Sequence, residues 1–263
     1  MSRKNTYIEM KEYGLIGHPL GHSFSRNFFT EKFYRESIDA AYLNFDIPNV
    51  GMLADIIAGH PDLLGLNCTI PYKETVISLL DEISPEAKCI GAVNVIKIHR
   101  DKDFVAGRFG NGIWTIGYNS DILGFCQSIA PMLQPNHKKA LVLGTGGAAK
   151  AIYVGLQKLG VEPMYVSRKP AMGQLTYEDI TIERMREFQV VVNCTPVGMF
   201  PHVDEAPELP YEALSSKHLL FDLIYNPNET LFLKRGLESG AKVQNGMRML
   251  ELQALAAWDL WDK

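Results

Sequence analysis

The stretch Leu141-Val-Leu-Gly-Thr-Gly-Gly-Ala-Ala constrains the fold of this chain more than any other. An apolar run with strand character enters a glycine turn, which releases into small residues able to open a helix. Gly144, Gly146 and Ala149 occupy the small positions of the dinucleotide fingerprint. Glycine permits the tight turn and lets backbone N–H groups approach a pyrophosphate at a helix N-terminus. The spacing predicts the first strand–turn–helix unit of a Rossmann sheet, with Gly144, Gly146, Gly147 and Ala148 as cofactor-binding positions. About twenty residues further on, where an NAD site has an acid for the ribose hydroxyl, the chain reads Ser167-Arg168-Lys169. Two cations there favour a 2′-phosphate, so the expected cofactor is NADP(H).

About 140 residues precede this unit, enough for a further domain. The chain has 263 residues, 46% hydrophobic and 21% charged, with a net charge of -4. That composition supports one or two good cores and gives no general attraction to nucleic acid or an anionic membrane. The expected partner is a small-molecule substrate, with no nucleic acid and no membrane, and the assembly a monomer or homodimer. A polar opening segment shows no signal peptide and no apolar span, which makes the cytoplasm the expected location. Cys68, Cys89, Cys126 and Cys194 are scattered, as reduced structural thiols would be. His18 and His22 are separated by Pro19 and Gly21, which oppose a shared helical face, and no metal is expected.

Along the first part, strand patterns at 13–17, 42–46 and 64–70 alternate with helical patterns at 25–35 and around 52–57. Alternation of this kind predicts an α/β layer with largely parallel strands. Apolar runs at 92–98 and 113–118 flank a polar, glycine-bearing segment and read as a hairpin. A helical pattern at 122–133 ends at Pro135, the fingerprint strand at 141–143 follows, and further strands are expected at 163–167, 189–195, 219–225 and 242–244. Between 166 and 189 the usual long helix gives way to a Pro170, Gly173 interruption and a short helix near 182–188. The expectation is two α/β domains. Residues 1–120 would form a substrate-binding and catalytic domain, onto which 247–263 pack back, and 121–246 a Rossmann domain for NADP.

Three segments place polar side chains where strands end. In Asn67-Cys-Thr-Ile-Pro-Tyr-Lys73, Pro71 can begin a helix with Lys73 in its first turn, where a cation opposes the macrodipole. Lys73 is therefore either functional or merely solvated. In Gly117-Tyr-Asn-Ser-Asp121, Asp121 reads as a helix cap or a site residue. Ser23 and Ser25 carry the same two readings. Asn94 interrupts an apolar strand, where an amide needs a partner or a ligand.

In order along the chain stand Gly-His-Ser-x-Ser, Asn-x-Thr-x-Pro-x-Lys, Gly-Ala-x-Asn, Gly-x-Asn-x-Asp-x-x-Gly and the glycine loop. Asn193-Cys-Thr-Pro-Val-Gly-Met and Met249-Leu-x-x-Gln253 follow. This succession, from about Tyr13 to Trp258, resembles the shikimate dehydrogenases. The resemblance implies a two-domain enzyme that reduces 3-dehydroshikimate to shikimate with NADPH, in aromatic amino-acid (chorismate) biosynthesis. It implies Lys73 and Asp121 as the catalytic pair, and Ser23 and Ser25 as donors to the substrate carboxylate. Asn67, Thr69, Asn94, Asp121 and Gln253 would surround the ring hydroxyls, and Tyr225 would stand near the carboxylate. By the same likeness Thr195, Gly246 and Met249 join Ser167, Arg168 and Lys169 on the cofactor side. The chain departs from the family in Lys169 immediately after Arg168, in Ser120 for threonine, and in Arg248 where glycine is common. An NAD-using quinate/shikimate dehydrogenase and a non-catalytic NADP-binding regulatory relative are the alternatives.

Overall fold

The structure, a computed structural model, describes residues 10–21, 24–101, 107–110 and 112–262. The chain forms two compact units, residues 1–119 with 257–263, and residues 120–256.

In the first unit the described elements are β1 (Lys11–Gly17), α1 (Phe24–Arg35), β2 (Ala40–Asp46), α2 (Leu53–Gly59) and β3 (Leu63–Cys68), then β4 (Glu82–Ile83), α3 (Pro85–Ile90), β5 (Val95–Arg100) and β6 (Ile113–Tyr118). They build one sheet in the order β2-β1-β3-β5-β6-β4. β1 is parallel to β2 and β3, whereas β3–β5 and β5–β6 are antiparallel, the latter being the expected hairpin. One face packs Ile16, Leu66, Val76, Leu80 and Ile96 into a single cluster. The other carries aromatic rings: Tyr13, Phe29, Phe33 and Tyr42 meet Trp258 and Trp261 from the end of the chain. Gly65 makes room for the last of these, because a Cβ there would lie 2.4 Å from the Trp261 ring. The Trp261 Nε1–H then donates to the Ile96 carbonyl at 3.1 Å, which satisfies the one polar atom the ring buries. α3 was not among the sequence expectations. Ser84 caps it by accepting from the Ala87 N–H, Pro85 starts it, and Gly91 ends it at φ 72°, the left-handed conformation that glycine adopts without penalty.

The second unit runs through α4 (Asp121–Ile129), β7 (Lys139–Leu143), α5 (Gly147–Lys158), β8 (Glu162–Val166), α6 (Ile182–Glu187), β9 (Val190–Asn193), β10 (Leu219–Asp222), α7 (Leu231–Glu238) and β11 (Lys242–Gln244) to α8 (Met247–Asp262). Its strands are all parallel, in the order β11-β10-β9-β7-β8. The central strands are buried and apolar apart from Lys139 at the start of β7, Asn193 at the end of β9 and Asp222 at the end of β10, as parallel strands covered by helices are. Strand order reverses between β7 and β9, and a doubly wound sheet binds its ligand at the C-terminal ends of such a pair. In place of a helix directly after β8, the chain folds back on itself. The Leu175 N–H donates to the Tyr165 carbonyl at 2.9 Å and the Ser167 N–H to the Leu175 carbonyl at 2.8 Å. Among the described residues no helix is long and apolar enough to cross a membrane, and no cluster of three metal-ligating side chains occurs.

Candidate active site

In the first unit the site grows from the end of β3. The Asn94 carbonyl accepts the Cys68 N–H at 2.8 Å, and the Lys73 carbonyl accepts the Val93 N–H at 2.7 Å. These two bonds stitch segment 67–73 to segment 92–94, so Asn67, Thr69, Lys73 and Asn94 gather at one strand end. Lys73 is half-buried. It does not lie in the first turn of a helix, as Pro71 suggested. Residues 70–74 form turns ahead of a 3₁₀ helix at Thr75–Leu79; the Ile77 N–H goes to the Glu74 carbonyl at 3.3 Å, and the Lys73 carbonyl accepts from Val93. The dipole argument for Lys73 therefore falls away, and its position at the strand end remains. Asn94 is buried, and the Asn67 Nδ2 reaches its carbonyl at 3.4 Å.

One residue of this cluster was not read from the sequence. Tyr42, buried in β2, donates its hydroxyl to the Asn67 Oδ1 at 2.7 Å and shares a side-chain hydrogen bond with Ser25 in the first turn of α1. Burial pushes the Tyr42 phenol far above its ordinary range, with the Ser25 bond opposing, so the hydroxyl stays a neutral donor. An aromatic residue in a half-apolar strand reads as core, and only the register that sets it beside Asn67 distinguishes it. Ser23, like His22, lies outside the described residues.

On the nucleotide side, β7 is followed by Gly144 at φ 100°, where a Cβ would come within 3.2 Å of the Thr195 Cγ2. α5 begins at Gly147 with Gly146 in the cap position, and no side chain caps its first turn. Nothing stands within 4 Å of a Cβ placed on Gly146. Uncapped amides at the start of a twelve-residue helix, approached through two glycines, fit a pyrophosphate. Arg168 and Lys169 are exposed just past β8, and the Ser167 Oγ shapes their turn by accepting the Lys169 N–H at 3.2 Å.

Asp121 opens α4 and is buried. The cap position belongs to Ser120 and not to Asp121, which is the first residue of the helix itself. α4 meets α8 closely at Gly124, where a Cβ would stand 2.7 Å from the Met249 carbonyl oxygen and 3.1 Å from the Gln253 backbone N. Residues three apart share a helix face, which turns Asp121 toward the side of α4 that meets Gln253's helix. Gly246 packs on backbone: its N–H donates to the Ile224 carbonyl at 3.0 Å, and a Cβ would clash with the Leu223 carbonyl at 2.1 Å. It thereby ties the start of α8 to the loop of Tyr225, a half-buried tyrosine whose pKa burial raises. Met249 is buried in the cluster of Phe125 and Phe221, a core position. Arg248 is exposed and pairs with Glu251 at 3.1 Å.

Residues 15–96 match the family model for the shikimate dehydrogenase substrate binding domain. A shikimate dehydrogenase (NADP(+)) of Clostridium beijerinckii is 37% identical over 268 residues, covering 97% of this chain and 93% of that protein. The crystal structure of shikimate 5-dehydrogenase from Thermus thermophilus, in complex with NADP(H) and shikimate, is 30% identical with a TM-score of 0.79, covering 96% of this chain and 93% of that one. A quinate dehydrogenase from Corynebacterium glutamicum in complex with NAD has the same TM-score, 0.79, at 26% identity, covering 95% of this chain and 93% of its own. The chain belongs to the shikimate dehydrogenase family.

Proposed function

We propose that this chain catalyses the reversible, NADP-linked reduction of 3-dehydroshikimate to shikimate, with Lys73 and Asp121 as its catalytic pair. The observation that carries the reading is the stitching of segments 67–73 and 92–94, which presents Asn67, Thr69, Lys73 and Asn94 together. An ammonium among neutral amides and a hydroxyl suits a polyhydroxylated ring bearing one ketone. The Lys73 Nζ donates a proton toward the ketone oxygen as negative charge develops there. Asp121 orients the ammonium and accepts from a ring hydroxyl. Ser23 and Ser25 donate to the substrate carboxylate near Tyr225, and Asn67, Thr69, Asn94 and Gln253 hold the ring hydroxyls. Gly144, Gly146, Gly147 and Ala148 hold the pyrophosphate, and Ser167, Arg168 and Lys169 the 2′-phosphate. Thr195, Gly246 and Met249 shape the nicotinamide end, the last two from behind. Bound NADPH supplies the hydride.

NADPH absorbance with 3-dehydroshikimate tests the reading. Lys73→Met should lower kcat about 100- to 10,000-fold, the usual worth of a positioned acid, while leaving the Kd for NADP+ and the melting temperature near wild type. A variant that turns over normally would remove Lys73 from the mechanism. Arg168 and Lys169 stand where an NAD enzyme carries an acid, so kcat/KM should favour NADP+ over NAD.

A further inference from the structure

Asp222, the last residue of β10, is fully buried, as are Asn193 at the end of β9 and Thr230 at the start of α7. Its Oδ1 accepts from the Asn193 Nδ2 and the Ile224 N–H, both at 3.0 Å, and its Oδ2 accepts from the Thr230 hydroxyl at 2.6 Å. Asn193 carries this anchoring outward. Its Oδ1 accepts the Thr195 N–H at 3.1 Å and the Thr195 hydroxyl at 2.6 Å. The Thr195 methyl is the group that a Cβ at Gly144 would meet first, at 3.2 Å. An amide whose oxygen is held by two donors must turn its NH2 to an acceptor, and an ionised carboxylate can only accept. The chain Asp222–Asn193–Thr195 thus has a single polarity and ends at the dinucleotide turn.

The charge is expensive to keep. Burial pushes the Asp222 carboxyl up from 3.8 to about 6, with its three hydrogen bonds pulling back. A folded-state pKa above the unfolded one means stability that is present below about pH 4 and lost as pH rises through 6. At neutral pH an asparagine would keep an oxygen for the Asn193 and Ile224 donors and give up only the acceptor of the Thr230 hydroxyl, without the cost of a buried charge. Buried groups that oppose stability occur where function requires them.

We propose that Asp222 is a positioning residue for the cofactor, acting through Asn193 to fix Thr195 against the Gly144 turn. The inference rests on the reading that this turn binds NADP. The ionisable groups coupled to Asp222 are the Cys194 thiol and the Tyr211 hydroxyl, both raised by burial and both neutral below pH 8, and Asp121 acts on Cys194.

Calorimetric titration of NADP+ into wild type and Asp222→Asn at pH 8 and pH 5 tests it, with melting temperatures recorded alongside. At pH 8 the variant should bind about tenfold more weakly, the worth of one well-placed hydrogen bond, yet melt about 5 °C higher. At pH 5, where wild type loses the charge, both differences should shrink toward zero; titration of the 2′-phosphate cancels in the ratio. Asp222→Asn combined with Thr195→Val should lose no more affinity than Thr195→Val alone. Equal affinities at pH 8, a ratio independent of pH, or additive losses would overturn the proposal. So would a variant that melts lower or fails to fold, since the carboxylate would then be a structural anchor. A protein that binds NADP+ but does not oxidise shikimate would refute the assigned reaction and leave this test standing.

Discussion

The hydroxyl of Tyr42 decides which way the Asn67 amide faces. With Oδ1 engaged by the phenol at 2.7 Å and Nδ2 directed at the Asn94 carbonyl, the side chain has one orientation. Tyr42→Phe keeps the ring stacked on Phe29 and deletes the hydroxyl that serves both Asn67 and Ser25. The expected result is a stability loss of about 1–2 kcal/mol in urea titration, the cost of leaving a buried acceptor unpaired. KM for shikimate should rise severalfold while Kd for NADP+ holds. An unchanged KM would show that the Asn67 orientation does not matter to substrate. Residues of this kind divide by what makes them visible. Asn94 stands out because an amide interrupts an apolar strand, Asn67 because polar side chains gather where a strand ends, and Arg168 because cations replace an expected acid. Tyr42 and Asp222 do not stand out, since an aromatic or a lone acid at a strand end is ordinary until strand register gives it partners.

Elements position the candidate site through a few close backbone approaches, and one of them is the crossing of α4 and α8. Gly124→Ala would put a methyl 2.7 Å from the Met249 carbonyl and 3.1 Å from the Gln253 nitrogen, atoms that cannot swing aside as a side chain could. The helices must separate, so we expect about 1–3 kcal/mol of destabilisation, typical of overpacking, read from the urea midpoint. A loss of kcat/KM through displaced Asp121 and Gln253 should accompany it, whereas stability lost without activity would detach the crossing from the site. Periodicity shows α4, α5, α8 and the parallel strands, because each repeats an apolar pattern over several residues. The turn at 70–74 reads in sequence as a helix start, and is not one. Proline and lysine are compatible with either, and in the fold the Lys73 carbonyl accepts a long-range bond from Val93. α3 escapes notice in the sequence although Ser84, Pro85 and Gly91 mark both its ends; six residues hold too little periodicity to be seen.

For the whole molecule, acid stability should be set in the second unit, where buried groups oppose one another. His137 and His218 are each 4% exposed, and burial lowers the pKa of both. Each Nδ1 accepts a backbone N–H, from Gln134 at 3.1 Å and from Ser215 at 3.0 Å, so protonation there would break a turn. A lowered folded-state pKa means stability that is present above the ordinary 6.5 and lost as pH falls below it. Asp222 has the opposite sign, gaining stability as pH falls from about 6 toward 3.8. Asp222→Asn should therefore steepen the acid loss. His137→Asn with His218→Asn should flatten it, because the Asn oxygen reproduces the Nδ1 acceptor without its proton. In the first unit, among the described residues, His99 is lowered too, but it is only partly buried. All three tryptophans, Trp114, Trp258 and Trp261, belong to the first unit, so their emission reports that unit alone. On acidification below pH 6.5, far-ultraviolet ellipticity should fall before tryptophan emission shifts, and the histidine double variant should bring the two transitions together. Coincident transitions in wild type, unchanged by those substitutions, would show that the buried histidines do not govern acid unfolding.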